Sequence, residues 1–412
     1  MTETTPPTDQ PPLDQKQWLT PGVRGIGSAS LLADVGHEIP TALLPSLLTS
    51  TLGAPAAALG AIEGISDALA GAARFGGGVL ADDPARRRKV AVGGYATTAV
   101  LGAATAGATA VWQVGVLRAA AWTARGLRVP ARNALLADIV PAKAYGRAYG
   151  FERMMDNLGA IFGPLLALGL VAWVGVQWAI GFSVIPGLLA AAAIVYAIRH
   201  TPRPASRDKV PLKIRIRPVL KGDLGRLLGA VAAFEVGNVA ATLLILRASD
   251  LLAPEHGTKT ATTIALGLYT AYNVAATLAS VPSGRLSDRL GARRPVLVLA
   301  AGVAAFAVAY GMFAVTGAVI TVLAVPFVLA GVGIGAVETA QHSAVATLAP
   351  KDLRGSAFGM LATVQSLGNL AASTVAGALW TVVSPTAAYT YLAAWMVLAL
   401  TGLLVAAGRL RR

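Results

Sequence analysis

Cysteine is absent from the 412-residue sequence, and charged side chains make up only 13% of it. Without cysteine the chain forms no disulfide, thiol nucleophile or thiolate metal site, although its compartment stays undecided. No catalytic triad or metal-ligand cluster is recognisable, and the GVGIG run at 331–335 lies within an apolar helix rather than after a strand. The sequence therefore predicts that the protein is no enzyme and needs no cofactor or metal.

The N-terminal residues MTETTPPTDQPPLDQKQWLTPG lack a basic segment followed by an apolar core. A signal peptide needs both features, so this segment does not resemble one. Its polar, proline-rich composition predicts a disordered tail over residues 1–22.

Long apolar runs dominate the remaining sequence, in which 55% of all residues are hydrophobic. A helix needs about 20 apolar residues to cross a bilayer. Twelve runs reach that length, and they predict an all-α polytopic membrane protein surrounded by lipid. The predicted spans are 24–50, 55–80, 90–109, 112–140, 148–172, 175–198, 222–248, 261–284, 295–314, 317–349, 356–380 and 385–408.

The net charge of +14 is distributed unevenly between the two sets of connections. Lysine and arginine collect at 81–90, 141–147, 285–294, 350–355 and in the linker 200–221, whereas the opposite connections contain only Lys259. This asymmetry indicates orientation in a membrane rather than nucleic-acid binding. It predicts a bacterial cytoplasmic membrane protein with both termini and the linker in the cytoplasm. A lipid-binding role for the linker remains an alternative.

The two halves of the chain are related by an internal repeat. A shift of 209 residues aligns ARNALLADIVPAKAYGRAYGFERMMDNLG with AQHSAVATLAPKDLRGSAFGMLATVQSLG without a gap. A shift of 206 aligns GVLADDPARRR (78–88) with GRLSDRLGARR (284–294). The repeat predicts two six-helix bundles, 23–199 and 222–409, with a substrate path between them.

These features together resemble the major facilitator superfamily, in particular an uncharacterised branch of bacterial drug and metabolite permeases. The match to its loop motif after the second and eighth spans is close at 284–294, but at 78–88 Asp83 and Ala85 replace a basic residue and a glycine. An aspartate here can hold the N-terminus of a neighbouring helix or pair with an arginine of these loops. The alternative is simple orientation charge. The resemblance implies a cytoplasmic gate formed by Gly78, Asp82, Arg86, Arg87, Gly284, Asp288, Arg289 and Gly291.

Four arginines share one face of the predicted fourth span, namely Arg118, Arg125, Arg128 and Arg132. Charges at membrane depth need a polar cavity or a carboxylate. We expect all four to serve substrate binding or charge relay, Arg125 and Arg128 above all. Arg132 is expected either to snorkel to the cytoplasmic boundary or to pair with Asp82. A purely structural ion-pair network is the alternative.

Carboxylates occur as i,i+4 pairs in the same half, where each pair shares a helix face. Two carboxylates in a low-dielectric site do not both ionise cheaply, which favours proton binding. The alternative is that each acid only balances an arginine, and His37 beside them is expected to be hydrogen-bonded or part of a relay. The predicted proton-coupling residues are Asp34, Glu38, Glu63, Asp67, Glu152 and Asp156.

The second half has few charges at membrane depth and lacks counterparts of these arginines. We therefore expect coupling chemistry in the first bundle and a mostly uncharged substrate face in the second. That face is predicted from Glu235, Asn238, Tyr269, Tyr272, Asn273 and Gln365.

The fifth span contains Gly159, Gly163 and Pro164, whose spacing predicts close helix packing. In the superfamily this run resembles the antiporter motif, which implies export. The sequence thus predicts a monomeric, proton-driven exporter of a small organic molecule that works by alternating access. Two alternatives remain, a uniporter or proton symporter that imports an organic anion and a non-transporting sensor or lipid-handling scaffold.

Overall fold

The computed structural model of the protein describes residues 18–201, 214–290 and 295–409, and these ranges are helical without any strand. Most of the predicted tail, the centre of the linker and Gly291 lie outside them. The first half contains α1 (Pro21–Ser46), α2 (Ala56–Leu80), α3 (Pro84–Ala104), α4 (Val111–Ile139), α5 (Tyr145–Phe182) and α6 (Val184–Arg199). The linker contributes α7 (Ile216–Val219), and the second half contains α8 (Gly222–Glu235), α9 (Ala241–His256), α10 (Thr258–Leu290), α11 (Pro295–Val315), α12 (Ile320–Leu348), α13 (Arg354–Val382) and α14 (Pro385–Arg409).

Helix α5 covers the fifth predicted span and the beginning of the sixth. The chain kinks at Gly175, and helical geometry resumes after that residue. Gly175 has φ 79° and ψ 173°, a backbone conformation that only glycine adopts without strain. The predicted division between spans at 172 and 175 lies at this turn.

The seventh predicted span, 222–248, is wrong as a continuous helix. The chain leaves helical geometry between α8 and α9, over residues 236–240. Side chains of other helices satisfy the freed backbone groups, as a membrane interior requires. Tyr310 accepts from Val239 N at 3.3 Å, Ser373 accepts from Ala240 N at 2.9 Å, and an asparagine side chain donates to the carbonyl of Asn238 at 2.8 Å.

Six described segments are long and apolar enough to cross a membrane by length and composition alone: Pro84–Gly107, Ala142–Arg199, Thr258–Leu290, Val296–Val315, Ile320–Leu348 and Pro385–Val405. Helix α4 falls outside this group because it carries arginines, yet Arg118, Arg128 and Arg132 are at most 5% exposed. Their charges point into the bundle. Large apolar side chains such as Trp173 and Leu278 instead face outward, at 80% and 69% exposure, as expected in contact with lipid.

Each half forms a bundle, and the bundles repeat the same contacts. In the first, α2 packs on α4 and α3 packs on α6; in the second, α10 packs on α12 and α11 packs on α14. The halves meet where α5 crosses α10 and where α2 crosses α13. Gly78 lies against the backbone of Gly355, and Gly284 lies in the same way against Gly146. These paired crossings confirm the predicted two-bundle fold.

Candidate functional site

The contacts between bundles concentrate at one end of the molecule, which we call the latch end. It is the end at which α2 and α10 finish and α5 and α13 begin. Asp82 accepts hydrogen bonds from the backbone N and the Oγ of Ser356, at 2.8 and 2.5 Å. Asp288 accepts from Gly146 N at 2.7 Å and from Arg147 N and Nε at 3.1 and 2.7 Å. Each aspartate therefore holds the first turn of a helix in the other bundle, where the helix dipole favours negative charge.

Asp82 is almost fully buried in this contact. Burial raises the pKa of its carboxyl above the ordinary value, and the two hydrogen bonds from Ser356 oppose part of that rise. Arg86 and Arg87 of the same loop, which we expected as partners, instead bind Asp83 and Asp138. The hydroxyl and amide of Ser356 already occupy the oxygens of Asp82.

The loop arginines take separate places. Arg87 is 1% exposed, pairs with Asp138 of α4 and donates to the carbonyl of Ala81 at 2.7 Å. Arg86 is more exposed and pairs with its neighbour Asp83, at 3.4 Å. Arg289 is exposed. Among the predicted gate arginines, Arg87 is buried in the bundle, whereas Arg86 and Arg289 lie at its surface.

A network of hydrogen bonds and ion pairs joins α4 to α1 near the middle of the first bundle. Arg125 donates to Asp34 at 3.2 Å and to His37 Nε2 at 2.6 Å. Because a guanidinium only donates, the Nε2 atom is the acceptor and the imidazole proton lies on Nδ1. Arg118 pairs with Glu63 of α2 at 2.9 Å. The Arg125 side chain keeps 21% of its surface exposed, so it is accessible as well as paired.

Arg132 does not pair with Asp82; that prediction is wrong. Its side chain runs toward α5, where it lies 2.8 Å from Glu152 and 3.4 Å from Asp156. Arg153 contacts the same two carboxylates, at 2.7 and 3.1 Å. Glu152 is 1% exposed and also accepts from the Ser30 hydroxyl at 2.5 Å.

This cluster extends into the second bundle. Arg153 lies 3.7 Å from Glu338 of α12, which keeps 27% of its side chain exposed. Two guanidinium groups thus face three carboxylates, Glu152, Asp156 and Glu338. One carboxylate therefore lacks a compensating charge within the cluster.

The glycines of the fifth span lie against the acids of the first. A Cβ atom added at Gly159 would stand 2.7 Å from the Cβ of Asp34, and one at Gly163 would collide with the Cβ of Glu38. Pro164 is accommodated inside α5 without ending it. The small residues therefore let α5 approach the very face of α1 that carries the two carboxylates.

Two predicted proton-coupling residues have no ion pair among the described residues. Glu38 is half-buried beside Gly163, and Asp67 is exposed on α2. The other four are paired as described above, namely Asp34, Glu63, Glu152 and Asp156. Among the described residues, four of the six acids therefore form ion pairs and two do not.

In the second bundle a polar group surrounds Glu235, which is 4% exposed. Glu235 accepts from Asn238 at 3.0 Å and from Gln341 at 3.3 Å, and Gln365 donates to Gln341 at 2.8 Å. No cation pairs with Glu235 among the described residues. Gly368 packs against it as Gly159 packs against Asp34 in the first bundle.

The tyrosines predicted for the same face lie on α10. Tyr269 and Tyr272 stack with ring centroids 5.5 Å apart, and Asn273 donates to the carbonyl of Tyr269 at 3.1 Å. Asn273 is thereby bound to its own helix and buried. No hydrogen bond within the described part of the chain joins these three to the Glu235 group.

Several residues of the site escaped sequence reasoning. Arg354 donates to Asp138 at 3.1 Å and to the hydroxyl of Tyr145 at 2.6 Å, which adds a third contact across the latch end. Arg74 of α2 donates to Ser366 of α13. Arg354 lies in the basic connection 350–355, whereas Arg74 lies within the second predicted span. Nothing in the sequence indicates their partners in the other half.

Comparison with known proteins agrees with this architecture. The sequence profile described as "Major Facilitator Superfamily" matches residues 26–248 and 227–411. The chain belongs to this superfamily. Its family and fold are those of multi-pass membrane transporters, which points to transport rather than to an enzymatic reaction.

Superfamily relatives match most of the chain. An uncharacterised MFS-type transporter of Methanocaldococcus jannaschii is 28% identical over 379 residues, which are 90% of this chain and 92% of that protein. An uncharacterised protein of Mycobacterium tuberculosis is 29% identical over 347 residues, 82% of this chain and 81% of that one. A homologue of a multi-drug resistance efflux pump from Lactococcus lactis is 31% identical, but only over 68 residues, 16% of this chain and 57% of that protein.

Solved structures of the superfamily share the fold. The human organic anion transporter MFSD10 has a TM-score of 0.72 at 15% identity, with 93% of this chain and 99% of that chain covered. A bacterial homologue of the iron transporter ferroportin, in its outward-facing state, has a TM-score of 0.71 at 16% identity, with 93% and 98% covered. At these identities the likeness concerns the fold alone.

Proposed function

We propose that this transporter exports a small organic molecule in exchange for protons, by alternating access. The observation that carries the proposal is the cluster in which Arg132 and Arg153 face Glu152, Asp156 and Glu338 across both bundles. A site that holds one proton and touches both moving halves links protonation to their separation. Glu152 is enclosed by both arginines, so the proton belongs to the two more exposed acids.

The latch end faces the cytoplasm in this proposal. The connections rich in lysine and arginine lie there, and such residues favour the cytoplasmic side. Hydrogen bonds and ion pairs between the bundles lie at this end or in the half of the membrane next to it, through Asp82, Asp288, Arg354, Arg74 and Arg153. The closed latch end then corresponds to an outward-open state of the transporter.

The position of the cluster suits a gate. Asp156 lies 11 residues into α5 from Tyr145, or about 16 Å at 1.5 Å per residue. That depth is roughly half of a 30 Å hydrocarbon core. A proton entering from the outside reaches Asp156 or Glu338 before the latch end, cancels the excess negative charge and weakens the attraction of Glu338 for Arg153.

Opening of the latch end then exposes the cluster to the cytoplasm. The proton leaves there, the small molecule binds, and the pairing of Arg153 with Glu338 forms again as the bundles close. Arg125 keeps 21% of its side chain exposed and pairs with the buried Asp34 in the same half, so we assign this pair to substrate contact or charge relay.

A second candidate is import of an organic anion by uniport or proton symport. The partial exposure of Arg125, at 21%, favours it, because an accessible guanidinium can bind a carboxylate or phosphate. The two functions differ in the direction of proton movement relative to substrate.

The test uses purified protein in liposomes. Candidate molecules are first screened by the shift they cause in thermal unfolding, and those that bind are loaded under an imposed pH gradient. We expect uptake against proton movement, and loss of substrate-driven proton flux in Glu338→Gln with retention of substrate exchange. Asp223→Asn, a change to an exposed acid paired only with Arg226, serves as the control. Substrate that moves together with the proton would reject export, and absence of any flux would favour a scaffold or sensor.

A further inference from the structure

A small cavity inside the first bundle lies between α1, α3, α4 and α6, apart from the cluster around Glu152. Its volume is about 30 Å³. A single water needs about 10–15 Å³ on this measure. The cavity therefore accommodates a monoatomic ion or about two waters.

Hydrogen-bond donors without partners line this cavity. Tyr95 Oη, Arg118 Nε and Trp122 Nε1 are buried there, and none has a hydrogen-bond partner among the described residues. An unpaired buried donor costs about 1–3 kcal/mol. Three such groups around one small space indicate that the space holds an acceptor.

Arg128 lines the same cavity and is 3% exposed. Its guanidinium lies over the Tyr95 ring, 4.0 Å from the centroid, and within the described residues it forms neither an ion pair nor a hydrogen bond. The other three arginines of α4 each have a carboxylate within 3.2 Å, as the pairs with Glu63, Asp34 and Glu152 show. Arg128 is thus the exception in its own helix.

A charged group enclosed at membrane depth needs a counter-charge, and none of the described residues that line the cavity is a carboxylate. Two water molecules have acceptor capacity for the four donor groups but supply no negative charge. A monoatomic anion supplies both and fits the volume.

We propose that this cavity is a binding site for one halide-sized anion, of which chloride is the physiological example. Arg128 provides the charge, and Tyr95, Trp122 and Arg118 donate hydrogen bonds. The anion completes the ion pairing of α4 and fixes α3 and α4 against α1. The site does not depend on the direction of transport proposed above.

The test compares thermal unfolding of the purified full chain in sodium chloride, bromide, sulfate and gluconate at equal ionic strength. Chloride and bromide should raise Tm in a saturable manner, because they bind the folded state only, whereas sulfate and gluconate are too large. Arg128→Gln should lose the dependence on chloride. Arg226→Gln removes the same charge from an exposed position and should retain it.

Two further measurements keep the proposal testable if Arg128→Gln does not fold. Tyr95→Phe keeps the ring beneath the guanidinium but removes a donor, so it should raise the chloride concentration needed for half-maximal stabilisation. Crystals grown in bromide should show an anomalous scattering peak beside Arg128 and Tyr95. Equal Tm in chloride and gluconate, or a bromide-grown crystal without that peak, would show that the cavity holds water and overturn the site.

Discussion

Replacement of Asp288 by asparagine tests whether the aspartates at the latch end hold the bundles together. Asp288 accepts three hydrogen bonds from the first turn of α5, through Gly146 N and through Arg147 N and Nε. Asparagine has one acceptor oxygen and no charge, so it retains at most part of this contact. Hydrogen bonds to a charged group contribute about 1.5–3 kcal/mol each, against about 0.5–1.5 kcal/mol for neutral ones.

The net loss to the closed state is therefore about 2 kcal/mol, since a single bond survives and water replaces part of the rest. A difference of about 2 kcal/mol changes the ratio of closed to open molecules about thirty-fold, because 1.36 kcal/mol is tenfold. A latch end closed in about 99% of molecules would then be closed in about three quarters of them.

The absence of cysteine makes the measurement direct, because introduced cysteines react without background. Spin labels at Lys89→Cys and Lys351→Cys, both exposed near the latch end but in different halves, report the separation of the bundles by pulsed electron paramagnetic resonance. We expect a new population at longer distance in Asp288→Asn, and none in Asp223→Asn. An unchanged distance distribution in Asp288→Asn would refute the assignment of this contact as a latch.

Three further changes test packing and pairing. Gly163→Val should lower the free energy of unfolding by roughly 1–3 kcal/mol, because the valine side chain collides with Glu38. The control Gly169→Ala meets nothing within 4 Å and should be neutral. Equal unfolding midpoints for the two variants would contradict the close contact. Glu152→Gln should cost about 1.5–3 kcal/mol, because it removes the buried carboxylate that both guanidinium groups contact while Asp156 still pairs with them. A midpoint like that of the unmodified protein in a detergent unfolding assay would argue against the cluster. Gly175→Ala should destabilise by roughly 1–2 kcal/mol through its positive φ, and unchanged stability would show that the turn relaxes.

The sequence alone was sufficient for the two-bundle fold, because span length and the internal repeat are properties of the chain itself. It also placed Gly159 and Gly163 correctly at a close helix contact, since small residues at this spacing are typical of membrane helices whose backbones approach each other. It did not reveal the break between α8 and α9. An apolar window averages over the short run 236–240, and the groups that satisfy its backbone come from α11 and α13.

Partners of the charged side chains were the least predictable part. Helical spacing shows that Arg125 and Arg132 share a face, but the choice between Asp82 and Glu152 depends on where α5 lies beside α4. For Arg128, the sequence likewise does not show that a carboxylate partner is missing. The sequence shows the arginine, whereas only the packed bundle shows that each nearby acid is nearer to another cation.

The internal repeat gives the molecule two copies of the same contact between its bundles. Asp82 ties α2 to the start of α13 and Asp288 ties α10 to the start of α5, so a single rotation of the halves must undo both together. Loss of either copy leaves the other contact in place, so it weakens the closed state without abolishing it. The departures from the loop motif at 78–88, Asp83 and Ala85, fit this arrangement. The closed state does not depend on the Asp82 contact alone, because the Asp288 contact also holds it.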